Sequence, residues 1–367
     1  HRSAELLPAP PRLPGSYLVV ELTNRCSLAC VHCSVSETAH PHHAKTGYLD
    51  PAIFDALLDD LEDWGAGFST LILFWLGEPL LHPHFTRIWR RALRSAALCG
   101  TFDKVEVHTN GTHLTPARAQ ALLNVGAVDQ VLHFSLDAAT QPTYLRVKGI
   151  DRFALVDDHV HGFLTLRAAR GASRPRPVLQ FIVGSNNVGD VPAFVALWTS
   201  RCEALGLDVR CAAGHVPPGD DVVLFFRQLD CPTAEEQQAE NAVFRDAMGA
   251  LGLALPVESD KGLAVAAENL KPCSGFWKSP VVSWKGEVTT CTRDNLLHNA
   301  VGELSSARFR DLWWGATMAE RRAHVAQGDY GALALCQTCF IPRSLNHTEL
   351  SSDDVETTAR WWQEVSP

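Results

Sequence analysis

Short apolar runs of strand character alternate with helical segments six times before residue 215, and this alternation constrains the fold more than any other feature. The predicted strands cover residues 17–22, 70–75, 104–108, 130–135, 178–183 and 207–212. Such alternation predicts parallel strands joined by right-handed crossovers. The sequence therefore indicates an α/β fold, either an open doubly wound sheet or an incomplete barrel, with functional loops at the carboxyl ends of the strands.

The overall composition excludes several classes of protein. Hydrophobic residues make up 46% of the 367 residues and charged residues 20%, which is typical of a globular chain. The formal net charge of −9 argues against a nucleic-acid binder. No apolar run approaches the roughly 18 residues that a membrane helix needs, and no signal-peptide pattern opens the chain. We therefore expect a cytoplasmic protein that has neither nucleic acid nor membrane as a partner.

The cysteines favour metal binding or catalysis over disulfides, because eleven irregularly spaced thiols do not form a disulfide framework in a chain of this length. Cys26, Cys30 and Cys33 lie in ELTNRCSLACVHCS, at the end of the first predicted strand. A structural zinc site would need a fourth ligand, and His32 lies between two of the cysteines, where it would point the opposite way. Three thiolates on a 4Fe–4S cluster would leave one iron open to substrate or cofactor.

The CxxxCxxC spacing after a first strand resembles that of the radical SAM (S-adenosylmethionine) superfamily. The resemblance implies a partial (β/α)6 barrel of the TIM type, in which SAM binds the open iron. Reductive cleavage of SAM would give methionine and a 5′-deoxyadenosyl radical, which abstracts a hydrogen atom from substrate. The implied protein partner is an external one-electron reductant of the flavodoxin or ferredoxin type.

Further loops resemble family motifs in the same order along the chain. Residues 76–79, LGEP, resemble the family's GGEP with Leu76 in place of the first glycine. The motif's backbone and Glu78 would accept hydrogen bonds from the SAM ammonium. Residues 109–111, TNG, and 135–138, SLDA, resemble the loops after the third and fourth strands. The implied SAM-binding residues are His32 beside the adenine, Arg146 on the carboxylate, and Gly77, Glu78, Pro79, Thr109, Asn110, Ser135, Asp137 and Gln180.

A second set of four cysteines comprises Cys273, Cys291, Cys336 and Cys339. A zinc ribbon is one interpretation. The set also resembles the SPASM domain of radical SAM proteins, in its shorter twitch form with one auxiliary 4Fe–4S cluster, because no cysteine follows Cys339. Four protein thiolates would leave no open iron, which favours electron transfer or structural support.

The predicted domains follow from these motifs. They are an irregular lead-in at 1–16, the barrel at 17–215, a helical linker at 216–271, an auxiliary cluster domain at 272–345 and a C-terminal helix at 346–367. Two short strand-like runs flank a Lys-Gly turn at 285–286, so the expected cluster domain is small, with a β-hairpin plus a helix.

The resemblance leaves two substrate classes open. Dehydrogenases and epimerases of amino sugars or aminocyclitols in antibiotic pathways, such as 2-deoxy-scyllo-inosamine dehydrogenase, act on small molecules, and an acidic chain suits a cationic substrate. Peptide maturases are the alternative; here a separate recognition protein would be needed, since the 16 residues before the first strand are too few for a recognition domain. The candidate catalytic residues are Cys211 and Cys231 as hydrogen donors, and Asp294 and His215 as bases or substrate contacts.

Metal analysis tests this interpretation directly. If both cysteine sets hold 4Fe–4S clusters, the anaerobically reconstituted chain should contain about eight iron atoms and as many sulfides. Plasma emission spectroscopy together with a sulfide assay measures both. Tightly bound zinc without sulfide would contradict the cluster assignment and the enzyme interpretation with it.

Overall fold

The computed structural model describes residues 8–35, 44–123, 126, 128–253, 255, 272–339, 341–343 and 350–366. Its ten-stranded sheet has the order β10-β9-β8-β1-β2-β3-β4-β5-β7-β6. The strands from β8 through β1 to β6 pair in parallel, whereas the β8–β9 and β9–β10 pairs are antiparallel. The predicted α/β class with a large parallel sheet is therefore confirmed. In the described part of the chain, no helix is both long and apolar enough to cross a membrane.

The element bounds are as follows. The strands are β1 Tyr17–Val20, β2 Phe68–Ile72, β3 Phe102–Thr109, β4 Asp129–Ser135, β5 Arg176–Val183, β6 Val209–Ala213, β7 Val222–Gln228, β8 Val281–Val282, β9 Glu287–Thr289 and β10 Gly302–Glu303. The helices are α1 Pro51–Trp64, α2 Phe85–Cys99, α3 Pro116–Leu122, α4 Gln141–Lys148, α5 Phe153–Ala169, α6 Val191–Ala204, α7 Ala234–Ala250, α8 Gly275–Lys278, α9 Phe309–Trp313, α10 Ala316–Ala326, α11 Ala334–Thr338 and α12 Ser352–Val365.

The two faces of the sheet differ in chemistry. Side chains alternate along each strand, so residues two apart share a face. On β3, Val105 and Val107 belong to the main core, which also contains the buried faces of α1, α2 and α5. Glu106 and His108 therefore point to the opposite face, the barrel interior. This alternation separates an apolar helix side from an interior that carries polar side chains.

Strand β7 is the main difference from the sequence-based prediction. Residues 222–228 were assigned to a helical linker, but they form a strand between β5 and β6. The segment is VVLFFRQ, and every residue in it except Arg227 is buried. A short apolar run of this kind is typical of a strand covered on both faces. The predicted sixth strand, now β6, consequently lies at the edge of the sheet.

The C-terminal hairpin continues the same sheet. β8 pairs in parallel with β1, with Val281 opposite Val19, and β9 folds back on β8. A second connection joins α1 to α9, because the Asp60 carboxylate accepts a hydrogen bond from the Arg310 backbone N–H at 2.8 Å and also contacts the Arg310 guanidinium. The guanidinium lies over the Trp64 ring, 5.1 Å from its centroid. The C-terminal segment is thus fixed to the barrel at two places.

Replacing Arg310 should destabilise the chain measurably. Asp60 has a side chain only 6% exposed, so Arg310→Met leaves a buried carboxylate without its cation. We expect a loss of about 3 kcal/mol in the free energy of unfolding, measured by urea denaturation. The matched control is Arg308→Met, because Arg308 pairs with Asp311 where the side chains are 62% and 50% exposed, and its loss should cost about 0.5 kcal/mol or less. Equal effects of the two variants would contradict a buried connection.

Candidate cofactor and cluster sites

The three N-terminal cysteines converge in the loop after β1. Burial raises the pKa of Cys26 to about 12, and the neighbouring Glu78 carboxyl and the Cys30 and Cys33 thiols contribute in the same direction. The three thiols thus share one loop and influence one another electrostatically, and we call Cys26, Cys30 and Cys33 the triplet.

The end of α4 holds the triplet loop in place. The backbone N–H of Ala29 donates to the Lys148 carbonyl at 3.1 Å, and that of Val31 donates to the Val147 carbonyl at 3.0 Å. Gly149 follows, with φ of +72°, and a Cβ there would lie 2.3 Å from the Ala29 carbonyl oxygen. Only glycine fits this close approach, so the loop depends on the helix end for its shape.

A buried ion pair lies directly behind the triplet. The Lys148 ammonium is 2.5 Å from the Asp137 carboxylate, and both side chains are almost fully buried. Burial acts to lower the pKa of Lys148, but the charges of Asp137 and Cys30 outweigh it, and the pKa is raised. Asp137, one of the expected SAM contacts, is also bonded by the Ile182 backbone N–H at 2.7 Å. The structure therefore uses its carboxylate to anchor a cation beside Cys30.

Arg146 lies away from this ion pair. It is exposed on α4, where its guanidinium donates to the Asn186 carbonyl at 2.8 Å and to the Thr143 hydroxyl at 2.9 Å. The bond to Asn186 fastens α4 to the loop after β5. Lys148, two positions later, is the cation that reaches the triplet, and the sequence offered no signal that distinguished the two.

The LGEP loop is locked to the loops around it. The Glu78 carboxylate accepts hydrogen bonds from the Thr109 hydroxyl and the Asn110 backbone N–H, both at 2.7 Å, and from the Leu80 backbone N–H at 3.0 Å. Burial raises the pKa of Glu78 to about 7. A Cβ at Gly77 would lie 2.1 Å from the Thr23 carbonyl oxygen, so glycine is required there. The Glu78 carboxylate is thus occupied by hydrogen bonds that hold the neighbouring loops together. The backbone of the motif is therefore the candidate contact for a SAM ammonium.

The remaining expected SAM contacts occupy the triplet loop, the interior face of β4 and β5, and the loops after β2 and β3. His32 has its Nε2 3.7 Å from Asp137, and burial lowers the pKa of His32, which favours a neutral ring. Ser135 and Gln180 are paired across β4 and β5, on the interior face. The Asn110 side-chain amide lies 3.7 Å from the Cys26 sulfur. Pro79 begins a short 3₁₀ turn that continues from Glu78.

The second cysteine set also converges. Burial raises the pKa of Cys291 to about 11 and that of Cys336 to about 12, and Cys339 contributes to both shifts. For Cys273 the pKa is likewise raised, first by burial and then by the other three thiols. All four thiols therefore influence one another electrostatically.

Nitrogen donors point at the sulfurs of this second set. The Arg293 backbone N–H lies 3.4 Å from the Cys291 sulfur, and the Asn299 amide lies 3.4 Å from the Cys336 sulfur. Such donors stabilise thiolates, as they do around iron–sulfur clusters. Three converging thiols in one place and four in the other, with N–H donors beside them, fit iron–sulfur clusters as ligand sets.

Asp294 braces the loop that carries Cys291. Its carboxylate accepts from the Thr289 hydroxyl at 2.5 Å, from the His298 backbone N–H at 2.8 Å and from the Asn299 backbone N–H at 2.9 Å. The residue is 1% exposed. A buried carboxylate that accepts three hydrogen bonds stabilises the loop conformation. This geometry does not support the expected role of Asp294 as a base.

The other candidate catalytic residues are dispersed. Cys211 packs against the helix-side core from the edge strand β6, so it does not face the interior. His215 is exposed in the connection that follows β6. Cys231 is buried after β7; its backbone N–H donates to Gln237 at 3.0 Å, and its carbonyl accepts from Arg293 at 3.5 Å. Of the four candidates named from the sequence, only Cys231 and Asp294 adjoin a cysteine set.

A polar cluster in the interior was not predicted as a site. Glu106, His108 and His133 have ligand atoms that all lie within 4.8 Å of one another. The alternating pattern of residues 104–108, KVEVH, predicts that Glu106 and His108 lie on one face of the strand. That local pattern cannot predict how β3 is aligned with β4. The pairing of His108 with His133 in the parallel ladder brings the third member into place.

Several contacts connect the segments around the triplet to the segments that carry the second cysteine set. The Trp284 backbone N–H, in the β8–β9 turn, donates to the Glu21 carboxylate at 3.0 Å. The Trp75 indole donates to the Thr292 carbonyl at 2.9 Å, next to Cys291. The Trp284 ring packs so closely on Gly47 that a Cβ there would lie 2.3 Å from it. The two cysteine sets are therefore held in one rigid framework of strand ends and turns.

Comparison with known families agrees with these two ligand sets. Residues 20–190 match the model of the radical SAM superfamily, and residues 273–340 match that of SPASM, described as an iron–sulfur cluster-binding domain. The predicted family, and SAM and iron–sulfur clusters as the cofactor types, are confirmed by these matches. The predicted boundaries of the individual domains stay predictions.

Individual relatives are distant. The chain is 23% identical to the tungsten-containing aldehyde ferredoxin oxidoreductase cofactor-modifying protein of Pyrococcus furiosus, over 76% of this chain and 71% of that protein. It is 32% identical to the mycofactocin maturase MftC of Mycobacterium ulcerans, over 49% of this chain and 43% of the maturase. The solved structure of anSMEcpe with bound AdoMet and Cp18Cys peptide covers 95% of this chain and 94% of its own, with 13% identity and a TM-score of 0.55. The last comparison shows a shared fold.

The Glu21 contact predicts a pH dependence of stability. Burial raises the pKa of Glu21 from 4.5 to about 7, although the Trp284 N–H opposes the shift. The folded chain thus keeps a proton that the unfolded chain releases, and this contribution to stability is lost as the pH rises from about 4.5 to about 7. Glu21→Gln cannot ionise, so its free energy of unfolding should fall less over that range than that of the wild type. Urea denaturation at several pH values measures both, and parallel curves would contradict the assignment.

Proposed function

The chain belongs to the radical SAM superfamily, and from this premise we propose that it is an oxidoreductase or epimerase that abstracts hydrogen from a small polar molecule. The substrate class we propose is an amino sugar or aminocyclitol with a free hydroxyl group. The observation that carries the proposal is the polar interior beside the triplet, where Glu106, His108, His133 and Gln180 share the face opposite the helix-side core.

The triplet would hold the SAM-binding cluster through Cys26, Cys30 and Cys33. When bound, that cluster and SAM supply the 5′-deoxyadenosyl radical that removes the substrate hydrogen. Lys148 places a buried positive charge beside Cys30, which offsets the negative charge of the thiolates. Asn110 places an amide beside Cys26 and positions the loop after β3 next to the triplet.

The interior suits a polar, hydroxylated substrate. Arg227 extends from β7 on the same face as Val223 and Phe225, because side chains two apart on a strand share a face. Two small apolar clusters flank the polar side chains, one of them made by Val131, Val178, Val223 and Phe225 and the other by Val19, Trp75 and Val281. A small ring with hydroxyl and amino substituents matches such a mixture of apolar walls and a few polar groups.

The auxiliary cysteines support oxidation in particular. Loss of a hydrogen atom and a proton from a carbinol leaves one electron to be removed. The second set is linked to the interior side of the sheet by a direct contact: the Trp75 indole, which packs with Val19, donates to the Thr292 carbonyl next to Cys291 at 2.9 Å. Cys273, Cys291, Cys336 and Cys339 would fully ligate their cluster, so electron transfer is the role that fits it.

A peptide maturase is the second candidate. The 32% identity to mycofactocin maturase, over 181 residues, favours it. The chain spans less than half the length of that maturase, so the whole activity does not carry over. A maturase of this kind would bind its peptide at the open edge of the barrel, with the same triplet chemistry.

Anaerobic turnover tests the proposal and separates the two candidates. Reconstituted chain, SAM and dithionite should give 5′-deoxyadenosine, and addition of 2-deoxy-scyllo-inosamine should increase it and yield a ketone or an epimer, both detected by mass spectrometry. Cys26→Ala should abolish 5′-deoxyadenosine, because the triplet loses a ligand. The matched control is Cys99→Ala, at the exposed end of α2, which should behave as the wild type.

The remaining outcomes decide between the candidates. Stimulation by a cysteine-rich precursor peptide from the same gene cluster, and not by a panel of aminocyclitols, would favour the maturase. Failure of the wild type to form any 5′-deoxyadenosine would contradict both.

A further inference from the structure

The interior cluster of Glu106, His108 and His133 has a specific hydrogen-bond arrangement. The His108 Nε2 lies 3.3 Å from the Glu106 carboxylate and is hydrogen-bonded to it. The His133 Nε2 lies 3.8 Å from the same oxygen. The other Glu106 oxygen is 2.6 Å from the Lys104 ammonium. One carboxylate therefore orients two imidazoles and is itself neutralised by a lysine.

The His108 ring is locked between two other rings. The Phe74 ring stacks on one face, with centroids 5.3 Å apart and planes 11° apart. The His133 ring stacks on the other face, 4.0 Å away at 22°. His133 is supported in turn by the edge contact with Phe225 at 6.4 Å. A ring held on both faces and at Nε2 is pre-organised, so its remaining nitrogen points in one direction.

That remaining nitrogen is available. Among the described residues, His108 Nδ1 has no hydrogen-bond partner, and the side chain is 14% exposed. With the Nε2 proton donated to Glu106, Nδ1 carries the lone pair. His133 Nδ1, by contrast, is enclosed and unpaired, so it is not accessible to a ligand.

The charges around the cluster favour this protonation pattern. Burial would raise the pKa of Glu106, but the hydrogen bond from His108 and the charge of Lys104 outweigh it and hold the pKa well below its usual range. Burial keeps the pKa of His133 well below 6.5. Glu106 is thus ionised and His133 neutral at neutral pH. The Glu106 carboxylate lies directly beside the His108 ring, on its Nε2 side.

A metal site is the other interpretation of two histidines and a carboxylate. In this geometry the two imidazoles are stacked almost parallel, so their lone pairs do not converge on one point as metal ligands do. The Lys104 ammonium already neutralises Glu106, and Arg227 adds positive charge at His133. Metal-bound histidines also have a partner on the second nitrogen, which His133 lacks among the described residues.

The cluster lies close to the triplet. Thr109 ends β3 directly after His108, and Asn110 begins the loop beyond it, with its amide 3.7 Å from the Cys26 sulfur. Two residues of chain span at most about 7 Å, so one small molecule can contact both His108 and a group bound at the triplet. The position is that of a residue that meets substrate.

We propose that His108, oriented by Glu106, is the base that accepts the hydroxyl proton of a secondary alcohol substrate in the barrel interior. The inference rests on the proposed function and assigns its missing proton acceptor. A 5′-deoxyadenosyl radical formed from SAM at the triplet would take the substrate C–H hydrogen atom, and His108 Nδ1 would accept the O–H proton. Cys273, Cys291, Cys336 and Cys339 would hold an oxidised cluster that takes the remaining electron, so that the C–O bond becomes C=O with protons and electrons balanced.

Substitution with chemical rescue tests the proposal in the holoenzyme. With 2-deoxy-scyllo-inosamine as the probe, His108→Ala should lose about 100-fold in ketone formation, and free imidazole should restore part of it. Formation of 5′-deoxyadenosine from SAM without substrate should stay at the wild-type rate, because the triplet is intact. Glu106→Gln should lower ketone formation less, and His324→Gln, on the exposed surface of α10, should not change it.

Two results in this experiment would overturn the assignment. One is an undiminished rate of ketone formation in His108→Ala. The other is a loss that imidazole does not restore and that SAM cleavage shares, which indicates a structural role.

A second measurement does not need turnover. Histidine-selective ¹⁵N NMR of the full chain should show His108 protonated at Nε2 and not at Nδ1, and Glu106→Gln should change this tautomer. A proton on Nδ1 would overturn the proposal. So would one equivalent of bound Zn²⁺ in the wild type that is lost in Glu106→Gln, because the cluster would then be a metal site. If the wild type makes no ketone from the probe, the proposed substrate class fails, and the tautomer and zinc results decide the base assignment on their own.

Discussion

The parallel register of β3, β4 and β5 determines which side chains reach the barrel interior. His108 lies opposite His133, and Ser135 lies opposite Gln180. Because side chains alternate along a strand, a shift of one residue would place Val107 in the interior and turn His108 toward the helices. The helix side is packed with apolar residues from α1, α2 and α5, so such a shift would bury Glu106 in a core that cannot solvate it. The packing of the helices therefore fixes the chemistry of the interior.

Two buried carboxyl groups near the triplet, those of Asp137 and Glu78, connect the loops around it. Asp137 is neutralised by Lys148, whereas Glu78 is held by two backbone N–H groups and one hydroxyl. Each links loops that follow different strands: Glu78 joins the loops after β2 and β3, and Asp137 joins the end of α4 to β5. The loops at the carboxyl end of the sheet are thus connected to one another by buried polar bonds, which give them a defined geometry before any cofactor binds.

Much of this arrangement could be predicted from the sequence, and the exceptions have physical causes. The parallel sheet and both cysteine sets follow from local patterns, because strand periodicity and ligand spacing are properties of short segments. The strand at 222–228 was missed because an apolar run after a Pro-Gly-Asp turn carries no alternation. Lys148 was missed because burial of a lysine depends on Asp137, eleven positions earlier in the chain. The Glu106–His108–His133 cluster depends on the register between β3 and β4, which cannot be predicted from the sequence of either strand alone.

The single sheet changes how the two cysteine sets should be understood. Sequence motifs divide the chain into a barrel and an auxiliary domain, yet β8 pairs with β1 and extends the barrel wall. Glu21 ends the strand region that leads into the triplet, and it receives its hydrogen bond from Trp284 in the turn of the auxiliary hairpin. Any displacement of the hairpin would break that bond and leave a buried carboxyl unsatisfied, which is costly. The distance between the two sets is therefore a property of one folded sheet.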